Sequence, residues 1–205
     1  MRLSPVRLGL VLLVALAPVA CKPAAPRVFN PEGLAGPKID PPLPKPDFTL
    51  TDTEGRPFNF RQATQGKVAL LFFGYTHCPD VCPVHLANIA ATLTRLSPEV
   101  NQAVQVVFVT TDPRRDTPEA IRAYLDKFDR RFIGLTGDSL SLDRAMSQLP
   151  FGKPVIEPGA SAETYTVGHS ATVIAFTRDN LAHVVYPFGI RQQDWARDLP
   201  LLAAQ

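Results

Sequence analysis

Cys78 and Cys82 are separated by three residues in the run Thr76-His77-Cys78-Pro79-Asp80-Val81-Cys82-Pro83. The run follows an apolar stretch, Val68-Ala69-Leu70-Leu71-Phe72-Phe73, and opens a pattern of helical period. This predicts two thiols at a helix N-terminus, where the macrodipole and unpaired N–H groups favour the thiolate. Thiolates bind soft metals and exchange disulfides, and the pair is compatible with both. It does not fit c-type haem attachment, which needs Cys-x-x-Cys-His.

The elements that must position the pair follow from periodicity. Asp47-Phe48-Thr49-Leu50 and Pro57-Phe58-Asn59-Phe60 alternate as two short strands about Glu54-Gly55. Residues 67–73 form a central strand, apolar on both faces. A helix is expected over 83–96, with Leu86, Ile89, Leu93 and Leu96 on one stripe and Pro83 in its first turn. Residues 104–110 are a second buried strand, and Asp116-Thr117-Pro118-Glu119 starts a helix reaching Phe128 with capping-box chemistry. A strand over 132–135, a helix over 139–148 and a loop over 152–164 come next. Residues 171–177 and 182–186 pair as a hairpin, and a helix over 192–202 closes the chain. This order predicts an α/β, thioredoxin-like fold: a central mixed sheet flanked by helices, with an N-terminal β-hairpin extension.

That topology supplies a third donor. A hairpin strand antiparallel to 67–73 begins at the sheet edge from which the cysteines leave. Val167-Gly168-His169-Ser170 should therefore face them, and His169 would complete a Cys₂His site. Thioredoxins carry a cis-proline in this loop, whereas here no proline lies between Pro158 and Pro187. Two thiolates and one imidazole suit copper, as Cu(I) and with Cu(II) as a second state, while zinc would want a fourth ligand. Oxidation is the competing chemistry. Cysteines at i and i+4 of a regular helix have Cβ atoms about 5–6 Å apart, and a disulfide wants about 3.8 Å. Pro79 and Pro83 make this turn irregular enough to tighten.

Of 205 residues, 45% are hydrophobic and 20% charged, which suits one globular domain with appendages. Arg2 and Arg7 precede an uncharged stretch over 8–20, an export signal too short to span a bilayer. Val19-Ala20-Cys21 resembles a bacterial lipoprotein processing site, although Pro18 replaces the usual aliphatic residue. Cys21 would then carry lipid and anchor the chain to the outer face of the cytoplasmic membrane. Removing residues 1–20 takes away two arginines, so the formal charge falls from +2 to 0 and no basic signature for nucleic acid remains. With eight prolines over 22–46, residues 21–46 read as a tether ahead of a domain over 47–205. In an oxidising compartment, one remaining cysteine pair reads as chemical rather than structural.

Other residues have milder expectations. His77 is read as a solvated neighbour that helps set the loop, His85 as an exposed helix residue, and His183 as a mid-hairpin residue. Asp80 is expected to stabilise the helix start, and Asp112 and Asp116 to cap. Arg114 and Arg115 are candidates for orienting a partner.

Phe73-Gly74-Tyr75-Thr76-His77-Cys78-Pro79-Asp80-Val81-Cys82-Pro83 resembles the signature of the Sco/SenC proteins, copper-handling assembly factors of cytochrome c oxidase. Residues 111–118 resemble the family's DPxRDT stretch, Gly134-Leu135-Thr136-Gly137 its GLTG, and Gly168-His169-Ser170 the segment holding its copper histidine. The resemblance covers roughly 47–202. It implies that Cys78, Cys82 and His169 bind copper, with oxidase subunit II as partner and another copper carrier or thiol–disulfide protein upstream. The family usually has Asp where this chain has Gly168. A binding and transfer protein is the first expectation. A thiol–disulfide reductase that keeps the partner's cysteines reduced is the alternative.

Overall fold

The computed structural model describes Asn30 and residues 33–150, 154–159, 164–168 and 170–205. The export signal, Cys21, the first part of the tether and His169 lie outside these residues. Among the described residues the order is β1 (Lys38–Pro44), β2 (Thr49–Asp52), β3 (Pro57–Asn59), α1 (Phe60–Ala63), β4 (Val68–Gly74), α2 (Val81–Leu93), α3 (Pro98–Ala103) and β5 (Val104–Thr110). It continues with α4 (Pro118–Leu125), β6 (Ile133–Thr136), α5 (Ser139–Ser147), β7 (Val155–Glu157), β8 (Thr166–Gly168), β9 (Val173–Phe176), β10 (Leu181–Tyr186) and α6 (Gln192–Ala203).

Eight strands make one sheet in the order β1-β10-β9-β4-β5-β6-β2-β3. β4 and β5 are parallel, from Val68 opposite Val104 to Gly74 opposite Thr110. β9 runs antiparallel to β4 with Val173 opposite Phe72, so β9 starts at the edge where β4 ends. The N-terminal hairpin is present as β2 and β3, and β2 joins β6 antiparallel. The mixed thioredoxin-like sheet is therefore as expected.

Alternation along β4 divides the core in two. Leu70 and Phe72 pack with Leu86 and Ile89 of α2 and Trp195 of α6, while Ala69 and Leu71 pack with Phe60 and with Leu142 of α5. Burial on both faces is why residues 68–73 read as a continuous apolar run.

The folded unit starts earlier than its prolines suggest. β1 occupies the expected tether and pairs antiparallel with β10, with a register shift between Lys38 and Leu43, while Leu34 is buried in the main core. An edge strand bonds on one side, so Pro41, Pro42 and Pro44 are tolerated there. The expected loop over 152–164 contains β7, which pairs with β8 as a separate two-stranded ribbon. α3 was also missed, although Ser97 capping the N–H of Val100 ahead of Pro98 is a legible start signal.

Candidate metal centre

β4 ends at Gly74, and the Tyr75 carbonyl then accepts the Cys78 N–H at 3.2 Å. Asp80 caps α2, accepting from the Val81 N–H at 2.6 Å, as expected for a helix start. The helix thus begins at Val81, two residues before its expected start. Cys82 lies inside the first turn, and Pro83 occupies the same turn, where its missing N–H costs little. Cys78 stands ahead of the cap, and the Cys82 N–H donates to its Sγ at 3.4 Å. Gly74 makes room for the second sulfur: a Cβ there would stand 3.0 Å from Cys82 Sγ and 2.8 Å from the Phe108 ring.

The two cysteines are not joined as a disulfide, and Cys78 is half-buried while Cys82 is fully buried. The Cys82 thiol is pushed well above its ordinary range. The hydrogen bond to Cys78 contributes most, then burial, then the charge on Cys78. This corrects the expectation that the helix N-terminus favours the thiolate at both cysteines. For Cys82, a sulfur partner and loss of water outweigh the macrodipole. The pair is asymmetric, with an accessible sulfur and a buried one.

The loop after β5 braces this turn. Asp116 is buried and accepts from the Thr76 N–H at 3.0 Å, the Thr76 hydroxyl at 2.6 Å and the Thr110 hydroxyl at 2.7 Å. Asp112 is also buried; it accepts from the Tyr165 hydroxyl at 2.7 Å and pairs with Arg115. Both aspartates therefore bind side chains from distant segments, rather than capping α4, whose cap is Thr117. Arg115 belongs to this brace, and the Arg114 guanidinium lies 5.9 Å from the Tyr165 ring centroid.

The structure brings Cys78 and Cys82 together, whereas His169 lies outside the described residues. Its surroundings in the chain are described. Tyr165 and Val167 form a buried cluster with Tyr75, and Cys78 packs against that cluster. Gly168 ends β8, and a Cβ on it would stand 3.3 Å from a Glu157 carboxylate oxygen, so β7 presents a carboxylate where Gly168 has none. Among the described residues no group of three or more His, Cys, Asp or Glu side chains is arranged to hold a metal ion.

The other histidines divide. His77 is half-exposed, with Nδ1 3.0 Å from the Thr76 hydroxyl and 3.8 Å from Asp116, which fits a loop-setting role. His183 Nε2 stands 2.8 Å from Asp179 beside the β9–β10 turn. His85 contradicts its expected exposure. It is buried, with its ring against Phe72 and Phe188 and Nε2 3.0 Å from the Ala171 carbonyl. The groups that cover it come from β4 and from beyond residue 170, so the local helix pattern could not reveal its burial. Sequence reasoning also missed Tyr75 and Tyr165, whose only local signal is aromatic character beside the Cys and His motifs.

Comparison with known proteins gives one consistent family. The model of the SCO1/SenC family matches residues 37–203. A "putative copper-binding protein" of Stutzerimonas stutzeri is 35% identical over 128 residues, 62% of this chain and 61% of that protein. The chain thus spans less than two thirds of that relative's length. The structure of Bradyrhizobium japonicum ScoI with copper bound is 31% identical, covering 78% of this chain and 99% of the other at a TM-score of 0.69. The apo Sco1 protein of Thermus thermophilus is also 31% identical, covering 87% of this chain and 99% of the other at a TM-score of 0.73.

Proposed function

Given that this chain belongs to the SCO1/SenC family, we propose that it carries copper as cargo, held by Cys78, Cys82 and His169, for assembly of cytochrome c oxidase. One observation carries the reading: two thiols, one accessible and one buried, open at the sheet edge against which Tyr165 and Val167, just ahead of His169, are packed. Sulfur donors just before and within the first turn of α2 suit soft Cu(I), and a neutral imidazole would complete a low-coordinate set. The similarity to a copper-bound relative at 31% identity supports the same cargo. The family resemblance of the Cys and His motifs supports the binuclear copper site of oxidase subunit II as the destination. Export by residues 1–20 and lipid on Cys21 would hold the carrier beside a membrane-embedded oxidase.

Transfer needs a ligand that can be released. Cys78, half-buried, is accessible to an incoming donor, whereas Cys82 is fully buried in the core against the close backbone of Gly74. Copper would leave by ligand exchange, with Cys82 as the last sulfur to let go. The test is Cu(I) affinity, measured by competition with a chromophoric chelator, followed by transfer to an apo copper-site domain. Cys78→Ser, Cys82→Ser and His169→Ala should each lose tight binding. Native affinity in His169→Ala overturns the ligand set.

The thiol asymmetry favours a second reading, reduction of the partner's cysteines. Cys78 thiolate attacks a partner disulfide, forming a mixed disulfide and releasing one partner thiolate. Cys82, giving up its proton, then attacks Cys78 sulfur and releases the second thiolate. Two electrons pass, leaving Cys78–Cys82 oxidised. In this reading the cysteine variants lose activity while His169→Ala retains it.

A further inference from the structure

Two anchors, neither of them a bond to a sulfur, hold the chain just before and just after residue 169. Upstream, Tyr165 donates its hydroxyl to Asp112 at 2.7 Å, its carbonyl accepts Arg115 Nη1 at 3.1 Å, and its ring lies 3.6 Å from the Arg115 guanidinium carbon. Downstream, His85 reaches the Ala171 carbonyl at 3.0 Å. A carbonyl oxygen only accepts, so Nε2 carries the proton, and the ring's burial between Phe72 and Phe188 holds that orientation.

The two anchors belong to the elements that hold the thiols. His85 lies one turn after Cys82 on α2, and so ties the far side of the segment to the helix of the buried sulfur. Asp112 shares its loop with Asp116, which holds Thr76 just ahead of Cys78. Tyr165 and Ala171 are six residues apart, one bonded to the loop after β5 and the other to α2.

We infer that Asp112, Arg115 and His85 are positioning residues for His169. They act through Tyr165 and the Ala171 carbonyl, holding the chain just before and just after His169 to the elements that carry the cysteines. This rests on the proposed copper reading and adds to it. Tyr165 and Ala171 are placed by bonds made on folding, so less entropy would be lost when Cu(I) is captured.

The test is Cu(I) competition titration of Tyr165→Phe, His85→Leu and His85→Gln, each with His169 present and in His169→Ala. Tyr165→Phe and His85→Leu should each weaken binding about 10–100-fold while His169 is present. His85→Gln should recover most of the loss, because its amide N–H can still donate to Ala171. In the His169→Ala background the same changes should add less than about twofold. Equal losses in both backgrounds, or none with His169 present, overturn the anchors and leave the ligand assignment standing. Native affinity in His169→Ala itself overturns the ligand assignment, and the anchors with it.

Discussion

Asp116, buried beneath the cysteine turn, takes both the backbone N–H of Thr76, at 3.0 Å, and its hydroxyl, at 2.6 Å. Thr110 adds a third donor at 2.7 Å. The residue that starts the cysteine turn is thus fastened to the loop after β5, and the two parallel strands are joined beyond their last ladder bonds.

Removing that carboxylate leaves buried donors without an acceptor. Asp116→Ala should destabilise the reduced protein by about 2–4 kcal/mol, and Asp116→Asn, which retains one acceptor oxygen, by about 1–2 kcal/mol. Urea unfolding checks both. Equal stability of wild type and Asp116→Ala would mean that Thr76 finds another partner.

The thiols should differ in reactivity. Cys82 is fully buried and Cys78 is not, so limiting iodoacetamide should alkylate Cys78 at least about tenfold faster. Peptide mapping of the reduced protein reads the ratio directly. Comparable labelling of Cys82 would show that the first turn of α2 opens readily.

Lys45, at the end of β1, is a test of the early start of the fold. It is fully buried, with Nζ 3.3 Å from the Thr64 carbonyl. Burial, then the charge on Arg61, lower its pKa to about 8, with Asp179 opposing. Between about pH 8 and the ordinary lysine range, near 10.4, the unfolded chain keeps a proton that the folded chain has lost. Stability contributed by this site therefore rises with pH across that window and is lowest below it. Lys45→Met should be more stable at pH 7 by at most about 3 kcal/mol, and its advantage over wild type should shrink by pH 10. Urea unfolding of both proteins at the two pH values measures the difference. An advantage independent of pH would place Lys45 in water.

Where one element decided its own structure, the sequence was legible. β5 has its expected bounds, and β9 and β10 pair as the expected antiparallel hairpin, with β9 antiparallel to β4. What was not legible depends on distant partners. β1 is a strand because β10 offers an edge, and proline density masks it. β7 exposes Val155 and Ile156 and is held by β8 alone among the strands described. Asp112 and Asp116 find Tyr165 and Thr76 far along the chain, and local pattern offered only capping. The asymmetry of the thiols is likewise tertiary, since only Cys82 is drawn fully into the core beside β4 and β5.

The proposed copper carrier stands or falls on the atoms that hold the metal. X-ray absorption at the copper edge, on reduced protein loaded with an equimolar amount of Cu(I), reads them directly. Two sulfurs and one imidazole nitrogen, with the imidazole signature lost in His169→Ala, is the predicted result. An unchanged imidazole signature in that variant, or sulfur ligation alone in the wild type, would contradict it.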